Sequence, residues 1–365
     1  MPIHDPTILP PNLPAPADDG AAIHLLGAPV PDLTLASTDG RARSLRAITA
    51  SPSIIFFYPR TGVPGSAPPR LPDGTEWDLI PGMRGCTPQS CAFRDLAHEF
   101  KALGVSIYAL STQTTQYQLE FATRNHINFP ILSDAELALT RAMNLPSIDM
   151  PVETGGPPTL IRRMAWYCER SRIRKVWYPV FPPNENASNV LAHLRERRAL
   201  DVRPRAREHD DFVRHELTTH WGSTRIWSLG RAYEADTLPG FVAHRDGAPV
   251  GLITYDLIPG GHQCEIVTVS SRIESIGVGE RLLEAATDAA RDAGCTRAFL
   301  TTTNDNLRAI GFYQKRGWRL ARVYPGMLDL ARRFHPVIPR LGLNRIPLRD
   351  EIELELMLRS PEEHT

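Results

Sequence analysis

The sequence predicts a two-domain α/β protein, and three observations support this fold class. Its 365 residues suggest two domains, each large enough for its own core. Between residues 53 and 198, short β-rich apolar runs alternate with helix-like segments, which indicates an α/β layer with a mixed sheet. Near residue 200 the pattern restarts after an arginine-rich junction, and a helix and then an antiparallel run of strands follow. We therefore expect a first domain at residues 21–198 and a second at residues 199–365.

The first domain is expected to follow a proline-rich arm. Six of the first sixteen residues are proline, so residues 1–20 are predicted to be extended and mobile. The run from Ser53 to Tyr58 is typical of a buried parallel strand, and Pro59 ends it. Helices are expected at 90–103, 116–125, 136–143 and 187–198, and further strands at 105–110, near 132, at 160–167 and at 174–178.

The composition is that of an ordinary globular protein. Apolar residues make up 42% and charged residues 22%, and 41 basic residues balance 41 acidic ones. No overall field favours nucleic acid or a membrane surface, and no apolar run is long enough to span a bilayer. Residues 1–20 lack the basic and apolar pattern of a signal peptide, so we expect a cytoplasmic protein.

Two cysteines five residues apart form the first candidate site. In residues 85–91, Gly-Cys-Thr-Pro-Gln-Ser-Cys, a loop is predicted to turn into a helix, with Thr87 as its cap and Pro88 at its first position. Unpaired N–H groups at a helix start favour an anion, so Cys86 is a candidate reactive thiolate. Five helical residues rise about 7.5 Å and turn about 140°, whereas a disulfide needs facing side chains and Cα atoms within about 7 Å. A bond to Cys91 would require the first turn to unwind.

Structural zinc and a passive disulfide are the alternative roles for these cysteines. A zinc site needs two more ligands, and the other three cysteines are scattered singly along the chain. Passive disulfides belong mainly to secreted proteins. We expect neither, and no metal.

The motif Gly-Cys-Thr-x-x-x-Cys-x-Phe-Arg-Asp at residues 85–95 resembles the site of peroxiredoxins of the bacterioferritin-comigratory (AhpC/TSA) type, over about residues 21–198. The resemblance implies a thioredoxin-like fold, with hydrogen or alkyl peroxides as substrates and thioredoxin or a similar dithiol as reductant. Cys86 would attack the peroxide and Cys91 would resolve the sulfenic acid. Arg163 stands where such proteins have the arginine that holds the thiolate and polarises the peroxide. Arg162 is the alternative candidate, and a solvated strand arginine remains open.

An insertion departs from this family's usual Pro-x-x-x-Thr-x-x-Cys pattern. Residues 62–84 separate Pro59 from Cys86, and Met83 stands where the threonine is expected. Thr61 is the candidate to fold back and supply the missing hydroxyl, since a long insertion costs little loop entropy.

In the second domain, a glycine pair forms the next candidate site. A helix at 208–220 precedes strands at 240–244 and 250–255, which Asp246-Gly247 joins as a hairpin, and a third strand at 265–269. Gly277 and Gly279 then open an amphipathic helix, where backbone N–H groups can bind a pyrophosphate. A Rossmann dinucleotide site matches poorly, because the preceding strand ends an antiparallel run and the third glycine is missing.

A strand at 297–301 and the segment Asn-x-x-Ala-x-x-x-Tyr-x-x-x-Gly-Trp at 306–318 complete a longer pattern. It resembles the GNAT N-acetyltransferase superfamily over about residues 199–360. The resemblance implies acetyl-CoA bound between two splayed parallel strands, at 265–269 and 297–301, and acetyl transfer to a small-molecule or peptide amine. It implies that the cofactor contacts come from Val267, Val269, Glu274, Ser275, Ile276, Gly277, Val278, Gly279, Glu280 and Asn306.

Two residues would perform the acetyl transfer. Tyr313, on the same helical face as Asn306, would protonate the leaving CoA thiolate, unless it is a core tyrosine. Glu265 is where several family members have the base that deprotonates the amine, unless it is an ordinary strand-end carboxylate. Glu274 replaces the family's usual Gln or Arg, so phosphate binding would rest on backbone amides and on Arg272 or Arg281. The alternating tail at 351–358 is predicted to close the sheet.

Together these patterns predict a bifunctional enzyme, a thioredoxin-dependent peroxidase fused to a GNAT acetyltransferase. The main alternative is an acetyltransferase whose first domain is a redox sensor that does not turn over. A third possibility is that the insertion has abolished peroxidase chemistry and left a binding module.

Overall fold

The computed structural model describes residues 5–62, 66, 68–273, 276–333 and 338–358. The chain divides into two compact units, residues 1–194 and 195–365. Both units are mixed α/β structures, as the sequence predicts.

Nine strands lie in the described part of the first unit. They are β1 (Thr34–Ser37), β2 (Ala42–Ser44), β3 (Ser53–Phe57), β4 (Ser106–Ser111), β5 (Ile131–Ser133), β6 (Ser147–Asp149), β7 (Thr159–Ile161), β8 (Met164–Glu169) and β9 (Arg172–Trp177). Seven of them form a mixed sheet in the order β2-β1-β5-β4-β3-β8-β9, while β6 and β7 pair separately. The helices are α1 (Leu45–Ala50), α2 (Cys86–Asp95), α3 (Ala97–Ala102), α4 (Thr115–Arg124), α5 (Ala138–Ala142) and α6 (Asn186–Arg198), the last of which continues past the division between the units.

Strand β3 is buried on both faces and divides the core of this unit. Alternate side chains point to opposite faces of a strand, so Phe56 packs on one side and Phe57 on the other. The ring of Phe56 stacks on Phe93 of α2 with centroids 4.3 Å apart. Helix α2 is thereby pressed onto the sheet at the carboxyl end of β3.

Three details of the first unit differ from the sequence predictions. The strand predicted at 160–167 is broken at Arg162 and Arg163, which separate β7 from β8. The helix predicted at 90–103 is two helices, α2 and α3, and α2 begins at Cys86. Thr87 is not its cap: Gly85 occupies that position with a φ of 103°, a left-handed conformation that glycine adopts without strain.

The amino-terminal arm, predicted to be extended and mobile, forms hydrogen bonds with the rest of the unit. Arg84 Nη2 donates to the carbonyl oxygens of Asp5 and Ile8, at 2.6 and 2.8 Å. Further along the arm, Asp19 accepts hydrogen bonds from Arg162 and Tyr178.

The second unit contains a seven-stranded sheet in the order β10-β13-β14-β15-β16-β18-β17 and a separate hairpin, β11-β12. The strands are β10 (Leu200–Pro204), β11 (Arg225–Ser228), β12 (Arg231–Glu234), β13 (Gly240–Arg245), β14 (Ala248–Ile258), β15 (Gln263–Ser271), β16 (Arg297–Thr303), β17 (Arg319–Tyr324) and β18 (Glu351–Met357). The helices are α7 (Asp210–Trp221), α8 (Val278–Asp292), α9 (Leu307–Gln314) and α10 (Met327–Arg332).

Two features of this sheet differ from the predictions. Strand β18 does not close the sheet but lies between β16 and β17, so β17 forms that edge. The hairpin β11-β12 and the elements β17 and α10 were not predicted. Most side chains of β17 are exposed, so this strand lacks the alternation that marks a half-buried strand.

Candidate active sites

Cys86 is the first residue of α2 and is only 4% exposed. Arg163 Nη2 lies 3.2 Å from its Sγ atom. The thiol also lies 3.7 Å from the carbonyl oxygen of Met83. A permanent positive charge and a helix start therefore meet at one buried sulfur, and both stabilise a thiolate.

Arg163 is itself held by several acceptors. Its Nη1 atom donates to Gln89 Oε1 at 2.5 Å, and Nη2 also lies within 3.2 Å of the carbonyl oxygens of Gly82 and Arg84. Because Arg163 lies in the break between β7 and β8, its side chain does not have to follow the alternation of side chains between the two faces of the sheet. Arg162, the alternative candidate, pairs with Asp19 instead.

Gln89 is a site residue that the sequence did not single out. It is fully buried, and its Nε2 atom donates to Asn186 Oδ1 at 2.9 Å while its Oε1 accepts from Arg163. The available signal was its spacing: three residues after Cys86, it lies on the same side of α2. Gln89 thus links the start of α6 to the guanidinium that contacts the sulfur.

Thr61 and Cys86 line the same pocket, of about 140 Å³. Thr61 is buried, and its hydroxyl donates to Gln113 Oε1 at 3.1 Å. Tyr117 donates to the Thr61 carbonyl at 3.0 Å and also lines the pocket. Thr61, which directly precedes the insertion, therefore lines the pocket although Met83 occupies the family's threonine position, and Gln113 holds its hydroxyl.

Cys91 lies half-buried on α2, and both it and Cys86 are free thiols. Burial raises the pKa of Cys91, and nearby Arg94 offsets part of that effect. Since both cysteines belong to one continuous helix, the geometry does not permit a bond between them without rearrangement.

In the second unit, the central parallel strands separate. Strands β15 and β16 pair from Gln263 and Arg297 to Ile266 and Leu300, and no further. Strand β15 then continues to Ser271 and β16 to Thr303. Val267 and Val269 lie on the separated part of β15, as expected for residues that line a cleft between two strands.

Helix α8 begins beside this opening. Gly277 precedes it with a φ of 83°, and Val278, Gly279 and Glu280 form its first turn, whose N–H groups have no acceptor within the helix. A Cβ atom on Gly279 would lie 3.0 Å from the Phe312 ring, so a side chain at this position would require the ring to shift. Ile276 is partly buried against the core, while Glu274 and Ser275 lie outside the described residues. A backbone cradle of this kind fits the phosphates of acetyl-CoA.

The charged side chains around this turn are partly engaged. Arg272 Nε donates to Glu216 Oε1 at 2.6 Å, and Arg281 Nη1 lies 3.7 Å from Glu284. Glu280 pairs with Arg316 at 3.1 Å, so a cation faces its carboxylate.

Asn306 and Tyr313 lie at opposite ends of α9. Asn306 Oδ1 caps the helix by accepting from the Ala309 N–H at 3.1 Å, which leaves its side-chain nitrogen as the group that could donate to a ligand. Tyr313 is buried between Phe312 and Trp318. Burial raises the pKa of Tyr313 well above its usual range, against the smaller effect of Arg316, so the phenol keeps its proton at neutral pH.

Glu265 is 5% exposed and both of its oxygens accept hydrogen bonds from hydroxyl groups. Ser228 donates to Oε1 at 2.6 Å and Tyr233 donates to Oε2 at 2.5 Å. Ser228 also lies 2.8 Å from the Thr301 hydroxyl, on the separated part of β16. Burial and the bond to Glu265 raise the pKa of Tyr233, so it remains a donor.

Glu351 is a second carboxylate near this group. It accepts from the Leu229 N–H at 3.2 Å. Burial, and to a smaller extent the charge of Glu265, raises the pKa of Glu351, and the Leu229 bond opposes that shift. Ser228, Leu229 and Tyr233 all belong to the hairpin β11-β12, which the sequence analysis missed together with their roles.

Comparison with known proteins identifies both units. The Redoxin family matches residues 25–194, and the Acetyltransferase (GNAT) family matches residues 205–318. Peroxiredoxin Q, chloroplastic, of rice (Oryza sativa subsp. japonica) is 29% identical over 121 residues, 33% of this chain and 46% of the rice protein. The chain is a peroxiredoxin–GNAT fusion. It spans about half the length of the peroxiredoxin Q relatives that it matches.

The following relative and solved structures each match less than half of the fusion. The uncharacterized protein YdhI of Bacillus subtilis is 40% identical over 148 residues, which are 39% of this chain and 91% of YdhI. The structure of peroxidoxin BcpB from Mycobacterium tuberculosis covers 47% of this chain and 96% of its own, with 26% identity and a TM-score of 0.37. The IAA acetyltransferase of Bacillus cereus covers 43% and 99%, with 17% identity and a TM-score of 0.36.

The identification confirms the predicted fold class and family resemblance of the fusion. A GNAT domain implies the use of acetyl-CoA. Among the described residues, no group of three or more His, Cys, Asp or Glu side chains is placed to hold a metal ion. Within the same part of the chain, no helix combines the length and apolar character needed to cross a bilayer.

Proposed function

We propose that the fusion is bifunctional, with a thiol peroxidase in residues 21–198 and an amine N-acetyltransferase in residues 199–365. The observation that best supports the first activity is the 3.2 Å approach of Arg163 Nη2 to Cys86 Sγ in a pocket open to a small substrate. A guanidinium there stabilises the thiolate and can donate to a peroxide oxygen as the O–O bond breaks.

The proposed peroxidase cycle uses two thiols of the chain and one external dithiol. The Cys86 thiolate attacks one peroxide oxygen, the O–O bond breaks, and the released alkoxide or hydroxide takes up a proton. Cys86 is then a sulfenic acid, which the Cys91 thiol attacks to form a disulfide and release water. A dithiol such as thioredoxin reduces this disulfide by exchange and becomes oxidised itself.

Resolution by Cys91 requires α2 to unwind at its amino-terminal turn. Both cysteines lie on one helix, and the raised pKa of Cys91 keeps it protonated while that helix is intact. Gly85, held at a φ of 103°, is a natural hinge for such a rearrangement. We infer that local unfolding both brings the sulfurs together and exposes Cys91 to water, which favours its thiolate.

The separation of β15 and β16 beyond Ile266 and Leu300 supports the second activity. Acetyl-CoA, when bound, supplies the thioester whose acetyl group is transferred. The first turn of α8 would hold its phosphates, and the side-chain nitrogen of Asn306 and the separated part of β15 would contact its arm. Glu265 would accept the proton of the amine, directly or through water, and Tyr313 would donate a proton to the thiolate that leaves.

Peptide mapping by mass spectrometry tests the thiol chemistry first. After one equivalent of hydrogen peroxide, we expect a Cys86-Cys91 disulfide in the wild type and a trappable sulfenic acid on Cys86 in Cys91→Ser. Continuous NADPH consumption with thioredoxin and its reductase would then establish turnover. An unmodified Cys86 in both proteins would refute the peroxidase.

A redox sensor is the second candidate for the first domain, because Met83 replaces the family's threonine. Turnover separates the two functions. A sensor becomes oxidised once and stays oxidised with thioredoxin present, whereas a peroxidase consumes peroxide for as long as it is supplied. The acetyltransferase is tested separately, by release of free CoA from acetyl-CoA with a panel of alkyl, aryl and peptide amines.

A further inference from the structure

Two segments outside the family pattern line the pocket above Cys86. The Redoxin match begins at residue 25, whereas Pro6 of the amino-terminal arm lines the pocket. The insertion at 62–84 contributes Pro68, Pro69, Trp77 and Met83. These side chains form an apolar wall, while Arg60, Thr61, Arg84 and Tyr117 give the rest of the lining a polar character. The wall comes from the arm and from the insertion, which departs from the Pro-x-x-x-Thr-x-x-Cys pattern.

The arm is fixed at both ends. Near its beginning, the guanidinium of Arg84 donates to the carbonyl oxygens of Asp5 and Ile8, at 2.6 and 2.8 Å. The Arg84 side chain is only 8% exposed, and it also faces Asp78 at 3.8 Å. At the other end, Asp19 accepts from Arg162 at 2.9 Å and from Tyr178 at 3.0 Å.

The insertion is fixed by a small core of its own. Trp77 and Met83 are buried together with Met150 and Leu160. The guanidinium of Arg60 lies 5.5 Å from the centre of the Trp77 ring and donates to the Thr154 carbonyl at 3.1 Å. Residues 68–84 of the insertion therefore form a packed wall of the pocket.

The size and lining of the pocket favour one class of peroxide. Its volume of about 140 Å³ is close to that of an apolar cavity that holds one benzene molecule, about 150 Å³. Hydrogen peroxide has no apolar surface to bury against this wall, whereas the carbon group of an organic hydroperoxide has.

We propose that the arm and the insertion bind the carbon group of a compact organic hydroperoxide, aryl or branched alkyl, and that Arg84 positions the arm for this purpose. This inference rests on the proposed peroxidase activity of Cys86. It adds that residues 5–19 and the insertion set the preference among peroxides, while Cys86, Thr61 and Arg163 act on the O–O bond that all peroxides share.

Stopped-flow oxidation of Cys86 tests this inference. In a Cys91→Ser background, rate constants are measured for cumene hydroperoxide and for hydrogen peroxide, and their ratio is compared between variants. Arg84→Gln should lower the ratio, and a tenfold fall would correspond to the loss of about 55 Å² of apolar contact. Arg70→Gln is the matched control, because Arg70 belongs to the same insertion but pairs with Glu76 at the surface.

Pro6→Asp is a second variant, which places a charge in the wall without removing the Arg84 anchor. It should lower the cumene hydroperoxide rate more than the hydrogen peroxide rate, so that the ratio of the two falls. Hydrogen exchange of residues 5–19 should rise in Arg84→Gln and stay unchanged in Arg70→Gln.

An unchanged or raised ratio in both Arg84→Gln and Pro6→Asp would overturn the inference, as would an arm that stays protected in Arg84→Gln. If Cys86 of the Cys91→Ser protein, without a further substitution, reacts with neither peroxide, the proposed peroxidase activity is wrong. That result is distinct from an altered ratio.

Discussion

Arg163 Nη2 lies 3.2 Å from Cys86 Sγ, although 77 positions separate the two residues in the chain. The contact depends on the break between β7 and β8, which releases Arg163 from the strand pattern, and on Gln89, which holds its other nitrogen. A positive charge fixed in this way should govern the reactivity of the sulfur.

Replacing Arg163 by methionine should therefore slow the oxidation of Cys86 by hydrogen peroxide. The loss should be about 10²- to 10³-fold, the effect of removing one positioned donor from a developing charge. The measurement is the stopped-flow rate in the Cys91→Ser background. Arg162→Met is the control. Arg162 pairs with Asp19 of the arm, and the arm is proposed to bind the carbon group that hydrogen peroxide lacks. Equal losses in both variants would contradict a specific role for Arg163.

Gln89→Leu should weaken both the site and the fold. The change leaves Arg163 Nη1 without its Gln89 partner and removes the donor to Asn186, and each buried group left unpaired costs about 1–3 kcal/mol. The midpoint temperature of thermal unfolding and the rate of Cys86 oxidation should both fall. Gln116→Leu is the control, because Gln116 is exposed on α4, where substitutions usually stay within about 0.5 kcal/mol. An unaltered oxidation rate in a destabilised Gln89→Leu protein would limit its role to the fold.

Tyr313→Phe should lower the rate constant of acetyl transfer by about 10²- to 10⁴-fold, the usual contribution of a positioned acid. The raised pKa of Tyr313 keeps its proton in place through neutral pH, so the wild-type rate should not fall on this account below about pH 10. Release of free CoA, followed with a thiol reagent, measures the effect. Tyr324→Phe is the control on the edge strand β17, where Tyr324 donates to Glu353. A Tyr313→Phe enzyme with normal turnover would identify the residue as a core tyrosine.

Glu265→Gln should abolish most acetyl transfer at pH 7 but recover part of it at higher pH. An alkyl amine is mostly protonated at pH 7 and needs a base, whereas its free fraction grows as the pH rises towards about 10. The pH profile of the rate is the decisive measurement. A profile parallel to that of the wild type would indicate that Glu265 serves only to anchor Ser228 and Tyr233.

Glu351→Gln should stabilise the second domain at neutral pH. The folded state raises the pKa of Glu351, so ionisation of this group disfavours folding, and its contribution to stability is lost as the pH rises above the ordinary value near 4.5. The variant should melt a few degrees higher than the wild type at pH 7 and at the same temperature near pH 4. Glu234→Gln, an exposed change on the hairpin β11-β12, should show no such difference. A gain that persists at pH 4 would point to a cause other than charge.

Much of the fold could be predicted, because its signals are local. Strand β3 is marked by a short apolar run, α8 by apolar residues every three or four positions, and β18 by apolar residues at every second position. Elements without such a repeat were missed. Strand β17 is exposed on both faces. The two strands of hairpin β11-β12 have four residues each, too few for the pattern to stand out in the sequence although the burial of β11 alternates.

In the two candidate sites as well, residues with a local signal could be predicted and residues without one were missed. Residues near Cys86 and near Gly277 could be chosen from the chain alone, because a helix start and a glycine with positive φ are properties of a few consecutive residues. Arg163, 77 positions from Cys86, could be named only through the family resemblance, with Arg162 as its alternative. The other partners could not be chosen, since the contacts of Arg84 with Ile8 and of Glu265 with Tyr233 join segments 32 to 76 positions apart. Such contacts depend on strand order, on where a strand breaks and on how a long insertion packs. These are outcomes of the whole fold, and no local pattern encodes them.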